Sequence, residues 1–148
     1  MEDAFDIMPW EEPETSVVQE DPVPPNSATP FGLEERTARF GEAVIEFCKR
    51  MPLGPRTNRL IDQLTCCGTS VGGNYCEADD AVSKKEFVHI IGTCRKEARE
   101  TKFFLRMTAK ACPELKPQAR DLWREANELH LIFSKIRRTT LQNLKQSE

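Results

Sequence analysis

The sequence predicts an all-α protein, an antiparallel up-down four-helix bundle preceded by a disordered N-terminal tail. Apolar residues recur every three or four positions along four long segments, as on the buried face of a helix. Prolines stand between those segments, where helices end. No segment of the predicted bundle alternates polar and apolar residues with the period of a strand. A chain of 148 residues suits one core, so we assign residues 31–148 to the bundle and residues 1–30 to the tail.

Each predicted helix has its own apolar face. The first covers about residues 33–51, the second about residues 57–78, and the fourth about residues 117–144. The third begins at Ser83, which forms a capping box with Glu86. The residues expected in the core are, in chain order, Leu33, Thr37, Phe40, Val44, Phe47, Met51, Leu60, Leu64, Cys67, Val71, Phe87, Ile91, Cys94, Ala98, Thr101, Leu105, Leu122, Ala126, Leu129, Phe133, Ile136 and Thr140.

Charge is distributed unevenly along the chain. Residues 1–30 contain eight acids, no Lys or Arg and six of the ten prolines, a composition typical of disorder. Residues 31–148 contain 16 acids and 21 bases, a net charge of +5. The tail therefore carries −8 beside a basic domain, and we expect it to weaken non-specific binding of polyanions. Its apolar cluster, Phe5, Ile7, Met8 and Trp10, is either part of a solvated tail or a short docking motif.

No secretory signal or long apolar run is recognisable, so the sequence predicts a cytoplasmic protein that does not enter a membrane. The six cysteines lack zinc-site spacings, and we expect them to be buried apolar residues without a metal or other cofactor. No catalytic motif is present, and the two histidines lie on different predicted helices. The sequence therefore predicts no catalytic residues and no enzymatic activity.

The third helix carries a stripe of positive charge, which we call the basic stripe. Its members are spaced 4, 3, 4 and 4 apart and fall within roughly 80° of one another on a helix. The first four have no acid three or four positions away. They either pair with acids of another helix, such as Glu125 and Glu128, or bind phosphates or an acidic partner protein. The basic stripe consists of Arg95, Arg99, Lys102, Arg106 and Lys110.

The same helix is expected to turn an apolar patch, Phe103, Phe104 and Met107, away from the bundle. That patch either contacts another subunit or a partner protein, or is covered by neighbouring side chains. Few aromatic residues accompany the stripe, so any binding of nucleic acid should be electrostatic and tolerant of sequence.

The second helix is unusually rich in glycine. Gly68 and Gly72 lie four apart, and we expect them to let another helix pack close to its backbone. Gly73 likewise requires compensation from packing. Three polar residues follow the same part of the helix, and we interpret them either as a hydrogen-bonded network inside the bundle or as part of a ligand or catalytic site. They are Ser70, Asn74 and Glu77.

The segments IDQLTCCG, TSVGGNYCEA and SKKEFVHIIGTCRKEARETKFFLR resemble the four-helix-bundle proteins encoded by intervening sequences in 23S ribosomal RNA genes. They are also similar to the related accessory variability protein of diversity-generating retroelements. The resemblance implies a basic homopentamer without known enzymatic activity. For the retroelement branch it implies binding to a reverse transcriptase and to RNA or DNA. The alternative function is a structural assembly scaffold that binds no nucleic acid.

Overall fold

The computed structural model describes residues 32–147 as four α-helices. These are α1 (Leu33–Lys49), α2 (Asn58–Asp79), α3 (Lys84–Ala111) and α4 (Lys116–Gln146), with one 3-10 turn (Pro113–Leu115) before α4. The described part of the chain has no strand, which confirms the predicted all-α class. The predicted tail and its docking motif, within residues 1–30, lie outside the described residues.

The helices are antiparallel neighbours in chain order. α3 packs against α2 and α4, while α1 packs mainly on α2 and touches α4 less. Residues 37 and 44 of α1 face residues 72 and 68 of α2, so the numbering of the two helices runs in opposite directions. The lengths differ: α1 has 17 residues and α4 has 31, which at 1.5 Å per residue is about 26 Å against about 46 Å.

The helix ends follow from local chemistry. The Ser83 hydroxyl accepts a hydrogen bond from the Glu86 backbone N–H at 3.1 Å, and the Glu86 carboxylate accepts one from the Val82 N–H at 2.9 Å. The predicted capping box is therefore present at the start of α3. α1 ends at Lys49, two residues earlier than predicted, ahead of Pro52.

Most of the expected core residues are buried, including Phe40, Val44, Leu64, Leu105 and Phe133. Other expected members are only partly buried and pack at the margin of the core; these are Leu33, Leu60, Phe87, Leu122, Ile136 and Thr140. The core also holds Ala119 and Val88, which the seam pattern did not include.

Two buried threonines hydrogen-bond to carbonyls one turn earlier. The Thr37 hydroxyl donates to the Leu33 carbonyl, and the Thr101 hydroxyl donates to the Glu97 carbonyl, both at 2.7 Å. These bonds allow polar side chains to lie in an apolar core without an unsatisfied donor.

Gly68 and Gly72 form a close contact between α2 and α1, as predicted. A Cβ on Gly68 would lie 2.8 Å from a methyl group of Val44, and one on Gly72 would lie 3.2 Å from the Thr37 hydroxyl oxygen. The prediction for Gly73 was wrong: it is exposed, and a Cβ there would meet nothing within 4 Å.

The three polar residues of α2 do not form the network inside the bundle that was one of their two interpretations. The Ser70 hydroxyl donates to the Cys66 carbonyl at 2.6 Å, and the Asn74 amide donates to the Ser70 carbonyl at 2.8 Å. Both are bonds to the backbone of their own helix, the alternative that Ser and Asn side chains commonly take within helices. Glu77 is exposed.

Four cysteines are buried as expected, but Cys66 and Cys76 are exposed. Burial raises the pKa of the Cys67 thiol to about 11 and that of the Cys94 thiol to about 12. The buried thiols are therefore protonated and unreactive near neutral pH. All six cysteines are free.

Candidate functional site

The two halves of the bundle carry opposite net charge. Helices α3 and α4 together contain 15 Lys and Arg residues and six Asp and Glu residues, a net charge of +9. Helices α1 and α2 contain four bases and seven acids, a net charge of −3. Because α3 and α4 are neighbours, their charge is concentrated on one side of the molecule. We call the solvent-facing surface of these two helices the basic face.

The basic stripe lies along α3 on this face. Arg99, Arg106 and Lys110 are exposed, and Arg95 and Lys102 are half-buried. Among residues 32–147, neither Arg99 nor Arg106 makes an ion pair or a side-chain hydrogen bond. From Arg95 to Lys110 the stripe is about 22 Å long, comparable to six or seven base pairs of duplex DNA at about 3.4 Å each.

The two half-buried members contact α4. The Arg95 Nε atom donates a hydrogen bond to the Ser134 hydroxyl at 2.9 Å. The Lys102 ammonium donates to the Asn127 side-chain oxygen at 2.9 Å and lies 5.1 Å from the centroid of the Trp123 ring. These contacts orient both cations along the α3–α4 contact.

The acids proposed to neutralise the stripe are engaged elsewhere. The Arg36 guanidinium of α1 donates from Nε and Nη2 to the two Glu125 carboxylate oxygens at 2.6 and 3.0 Å, and also bonds Glu128. The hydrogen bond to Glu125 is the main reason that the pKa of Arg36 is raised above its ordinary value. This pairing argues against the alternative in which Glu125 and Glu128 neutralise the arginines of the stripe.

A row of polar residues on α4 faces the stripe, and the sequence reasoning did not identify it. Its members are spaced 3, 4 and 3 residues apart and lie beside the apolar seam of α4. This spacing in the sequence already indicates that they share one face of the helix. The fourth member packs at Gly92 of α3, with its Nε atom 3.6 Å from the position of a Cβ there. The row consists of Asn127, His130, Ser134 and Arg137.

His130 lies near three members of the stripe. Desolvation by burial lowers the pKa of its imidazole below the ordinary 6.5, and the positive charges of Lys102, Arg95 and Arg99 lower it further. The imidazole is therefore neutral near pH 7. Its Nε2 atom is buried and has no hydrogen-bond partner.

The apolar patch is smaller than predicted. Phe103 is 54% exposed, and its ring meets the Phe104 ring edge-on at a centroid distance of 5.1 Å. Phe104 is only partly buried but packs against the hydrophobic core, so the prediction that it turns away from the bundle was wrong. Met107 is half-buried. On α4 the exposed Leu131, at 58%, adds a second apolar residue to the basic half of the molecule.

A groove lies between α1 and α2 on the opposite, acidic half. Its volume is about 720 Å³, and the residues that line it include Gly41, Gly72 and Gly73. Glu34, Glu35 and Glu42 are among the residues that line it, so the groove is suited to a basic rather than an acidic partner.

Residues 32–147 contain no group of three or more His, Cys, Asp and Glu side chains that is placed to hold a metal ion. None of the four α-helices combines the length and apolarity that crossing a bilayer requires.

The fold has a counterpart among solved structures. The chain is similar to a protein of unknown function from the S23 ribosomal protein family of Bacteroides thetaiotaomicron, with a TM-score of 0.63 and 20% sequence identity. The match covers 70% of this chain and 96% of the other. No sequence model of a protein family matches the chain, and no curated protein matches it either. The likeness therefore establishes the shared fold.

Proposed function

We propose that the protein is a non-enzymatic accessory protein that binds the phosphate backbone of RNA or DNA through its basic face. The observation that carries the proposal is the separation of charge, +9 on α3 and α4 against −3 on α1 and α2. Intramolecular ion pairs do not cancel the charge of Arg99 and Arg106 among the described residues. Glu125 and Glu128, the acids of α4 that the sequence suggested as partners of the stripe, bind Arg36 instead.

Binding of this kind depends on charge rather than on base sequence. Cations that contact phosphates release condensed counterions, which makes affinity strong at low salt and weak at high salt. The basic face offers one partly buried tryptophan, Trp123, and one exposed phenylalanine, Phe103, so stacking on bases contributes little. The S23 family of the structural neighbour is named for a ribosomal protein, which is in keeping with a role beside RNA.

Charge reversal tests the proposal. We expect the double variant Arg99→Glu, Arg106→Glu to lose retention of a short DNA duplex and of a short RNA at low salt. The matched control is Arg56→Glu, Arg59→Glu, which changes the net charge equally but alters two exposed arginines, one in the turn before α2 and one in its first turn. Equal loss in both variants would mean that net charge alone governs retention, and unchanged retention in the first would contradict the proposal.

A second candidate function is assembly, favoured by the exposed Phe103 ring. Large exposed apolar side chains mark contact surfaces, and the groove between α1 and α2 offers small residues and acids to a basic, apolar partner. The resemblance in sequence points the same way, to a homopentamer that acts beside a reverse transcriptase. Light scattering tests assembly: Phe103→Ser should lower the mass in solution. Leu53→Ser, in the loop after α1 where Leu53 is 85% exposed, should leave it unchanged.

A further inference from the structure

A short part of the sequence before the bundle combines acids with large apolar residues. Residues 3–14, DAFDIMPWEEPE, contain five acids, no Lys or Arg, and the whole apolar cluster of the tail. We call them the acidic apolar segment. A surface that binds this segment has to supply both positive charge and exposed apolar side chains.

The basic face of the bundle has both properties. Arg99 and Arg106 are exposed on α3 and have no acid partner among the described residues. Phe103 lies between them in sequence and is 54% exposed, and on α4 Leu131 is 58% exposed. A phosphate backbone would use the cations but offers little apolar surface to pack on Phe103 and Leu131. An acidic peptide with apolar side chains would use both kinds of residue.

The chain enters the bundle beside this face. The backbone N–H of Arg36, in the first turn of α1, donates to the Gly32 carbonyl at 3.0 Å, and the Arg36 side chain bonds Glu128 of α4. Residues four apart share one side of a helix, so the chain before Gly32 joins α1 on the side that bonds α4. The exposed Leu131 follows Glu128 by three residues, about one turn of α4.

The connection is long enough for the segment to reach any part of α3. Residues 15–31 separate it from Gly32 and span at most about 56 to 61 Å at about 3.3 to 3.6 Å per residue. α3 has 28 residues and is about 42 Å long. Covalent attachment gives an effective concentration of about 1 mM, so a contact with an intrinsic Kd of about 0.1 mM forms about nine-tenths of the time.

We infer that the acidic apolar segment docks on the basic face of its own chain. Its acids lie against Arg99 and Arg106. Its apolar side chains pack on Phe103 and Leu131. The contact does not require nucleic acid, so it goes beyond the proposed function. A polyanion that binds the same cations has to displace the segment, which weakens its binding about tenfold if the segment is docked about nine-tenths of the time.

Arginine reactivity tests the contact in the full chain without nucleic acid. Phenylglyoxal modifies accessible guanidinium groups, and mass spectrometry gives the rate at each arginine. Neutralising four acids of the segment should speed modification of Arg99 and Arg106 between about five- and tenfold at about 50 mM salt, and leave the exposed Arg56 unchanged. The four replacements are Asp6→Asn, Glu11→Gln, Glu12→Gln and Glu14→Gln.

A matched control removes the same charge from the bundle. It neutralises four exposed acids of α1 and α2 and should leave the rates at Arg99 and Arg106 nearly unchanged, because those acids do not cover the stripe. The control replacements are Glu42→Gln, Glu46→Gln, Asp62→Asn and Glu77→Gln.

Apolar variants separate docking from a general attraction between net charges. The pair Ile7→Gln, Trp10→Gln keeps every charge and should weaken the contact about tenfold. The segment would then be docked about half the time, and the two stripe arginines would react about fivefold faster. The control pair Val17→Gln, Val18→Gln, between the segment and α1, should leave their rates unchanged.

The outcomes separate this inference from the proposed function. If both segment variants speed the stripe arginines but no duplex binds, the inference stands and the proposed function fails. If a duplex binds through the stripe while every variant keeps the wild-type rates, the segment does not dock and the proposed function stands. Equal acceleration in the segment variants and their controls would overturn the inference, and so would protection that is lost on tenfold dilution, because the segment would then dock on a second copy.

Discussion

Replacing Arg99 and Arg106 with glutamate should change the salt dependence of DNA binding by a calculable amount. If each of the five stripe cations contacts one phosphate of a duplex, log K falls against log salt with a slope of about −4.5. Affinity then falls about 500-fold between about 50 and 200 mM salt. With two contacts removed the slope is about −2.7, and affinity falls about 40-fold over the same interval.

The charge reversal should leave the fold intact. Both residues are exposed on α3, and Glu is nearly as good a helix former as Arg. A glutamate at position 99 would lie four residues after Arg95 and three before Lys102, so each new pair adds about 0.2 to 0.5 kcal/mol to helix stability. The same pairs partly neutralise the remaining stripe, which makes the slope shallower still.

Fluorescence anisotropy with a labelled duplex over a series of salt concentrations measures the slope, and circular dichroism checks the fold. The control Arg56→Glu, Arg59→Glu should retain a slope near −4.5 with a modest loss of affinity from net charge. An unchanged slope in the variant that carries glutamate at positions 99 and 106 would refute the assignment of phosphate contacts to the stripe.

Further predictions concern stability and reactivity. Gly68→Ala should lower the free energy of unfolding by about 1 to 3 kcal/mol in urea denaturation, because its Cβ would collide with Val44. Gly73→Ala should raise the free energy of unfolding by about 0.5 to 1 kcal/mol, because a Cβ at position 73 lies in open space. The same change in stability for both variants would contradict the close contact of α1 and α2. Arg36→Ala should destabilise by about 1 to 3 kcal/mol, since it breaks charged hydrogen bonds of a side chain that is 14% exposed. Lys49 forms an exposed ion pair with Glu46, so Lys49→Ala should lower the free energy of unfolding by less than about 0.5 kcal/mol. A similar loss of stability in Arg36→Ala and Lys49→Ala would argue against the link from α1 to α4. A thiol reagent at mildly alkaline pH should modify Cys66 and Cys76 rapidly in the native protein, and all six cysteines after denaturation; rapid native labelling of Cys94 would contradict its burial.

Stability should also depend on the protonation of His130. Because its pKa in the folded protein is lowered, mainly by burial, the neutral imidazole favours the folded state above about pH 6.5. That contribution is lost as pH falls through the lowered pKa, since the unfolded chain then binds the proton more readily. Urea denaturation without nucleic acid should show a steeper fall in stability below this pH for the wild type than for His130→Gln. Parallel curves would contradict the lowered pKa.

The fold could be predicted from the sequence because it depends on periodicity and on helix-end signals. The spacing of Phe40, Val44 and Phe47 and the capping residues at Ser83 act within one helix, where the geometry is fixed at 3.6 residues per turn. The close contact at Gly68 and Gly72 was predictable for a related reason. Adjacent glycines on one helical face are unfavourable unless a neighbour approaches closely.

The partners of the charged side chains were not predictable in this way. Helical spacing shows which residues share a face, but it does not show which helix lies beside that face or how far one helix is shifted along another. Arg36 reaches Glu125 and Glu128 because α1 also packs against α4. The angular position of Phe104 on α3 predicted an outward side chain for the same reason. It did not show that Phe104 packs against the hydrophobic core.

Protection of lysines from acetylation tests the central claim, that nucleic acid binds the basic face, most directly. Mass spectrometry would compare the rate of modification of each lysine with and without saturating DNA duplex at low salt. We predict slower modification at Lys96 and Lys110 of α3, and an unchanged rate at Lys49 of α1, whose side chain is 65% exposed on the acidic half. Equal protection of all three lysines, or protection confined to Lys49, would contradict the proposed interface.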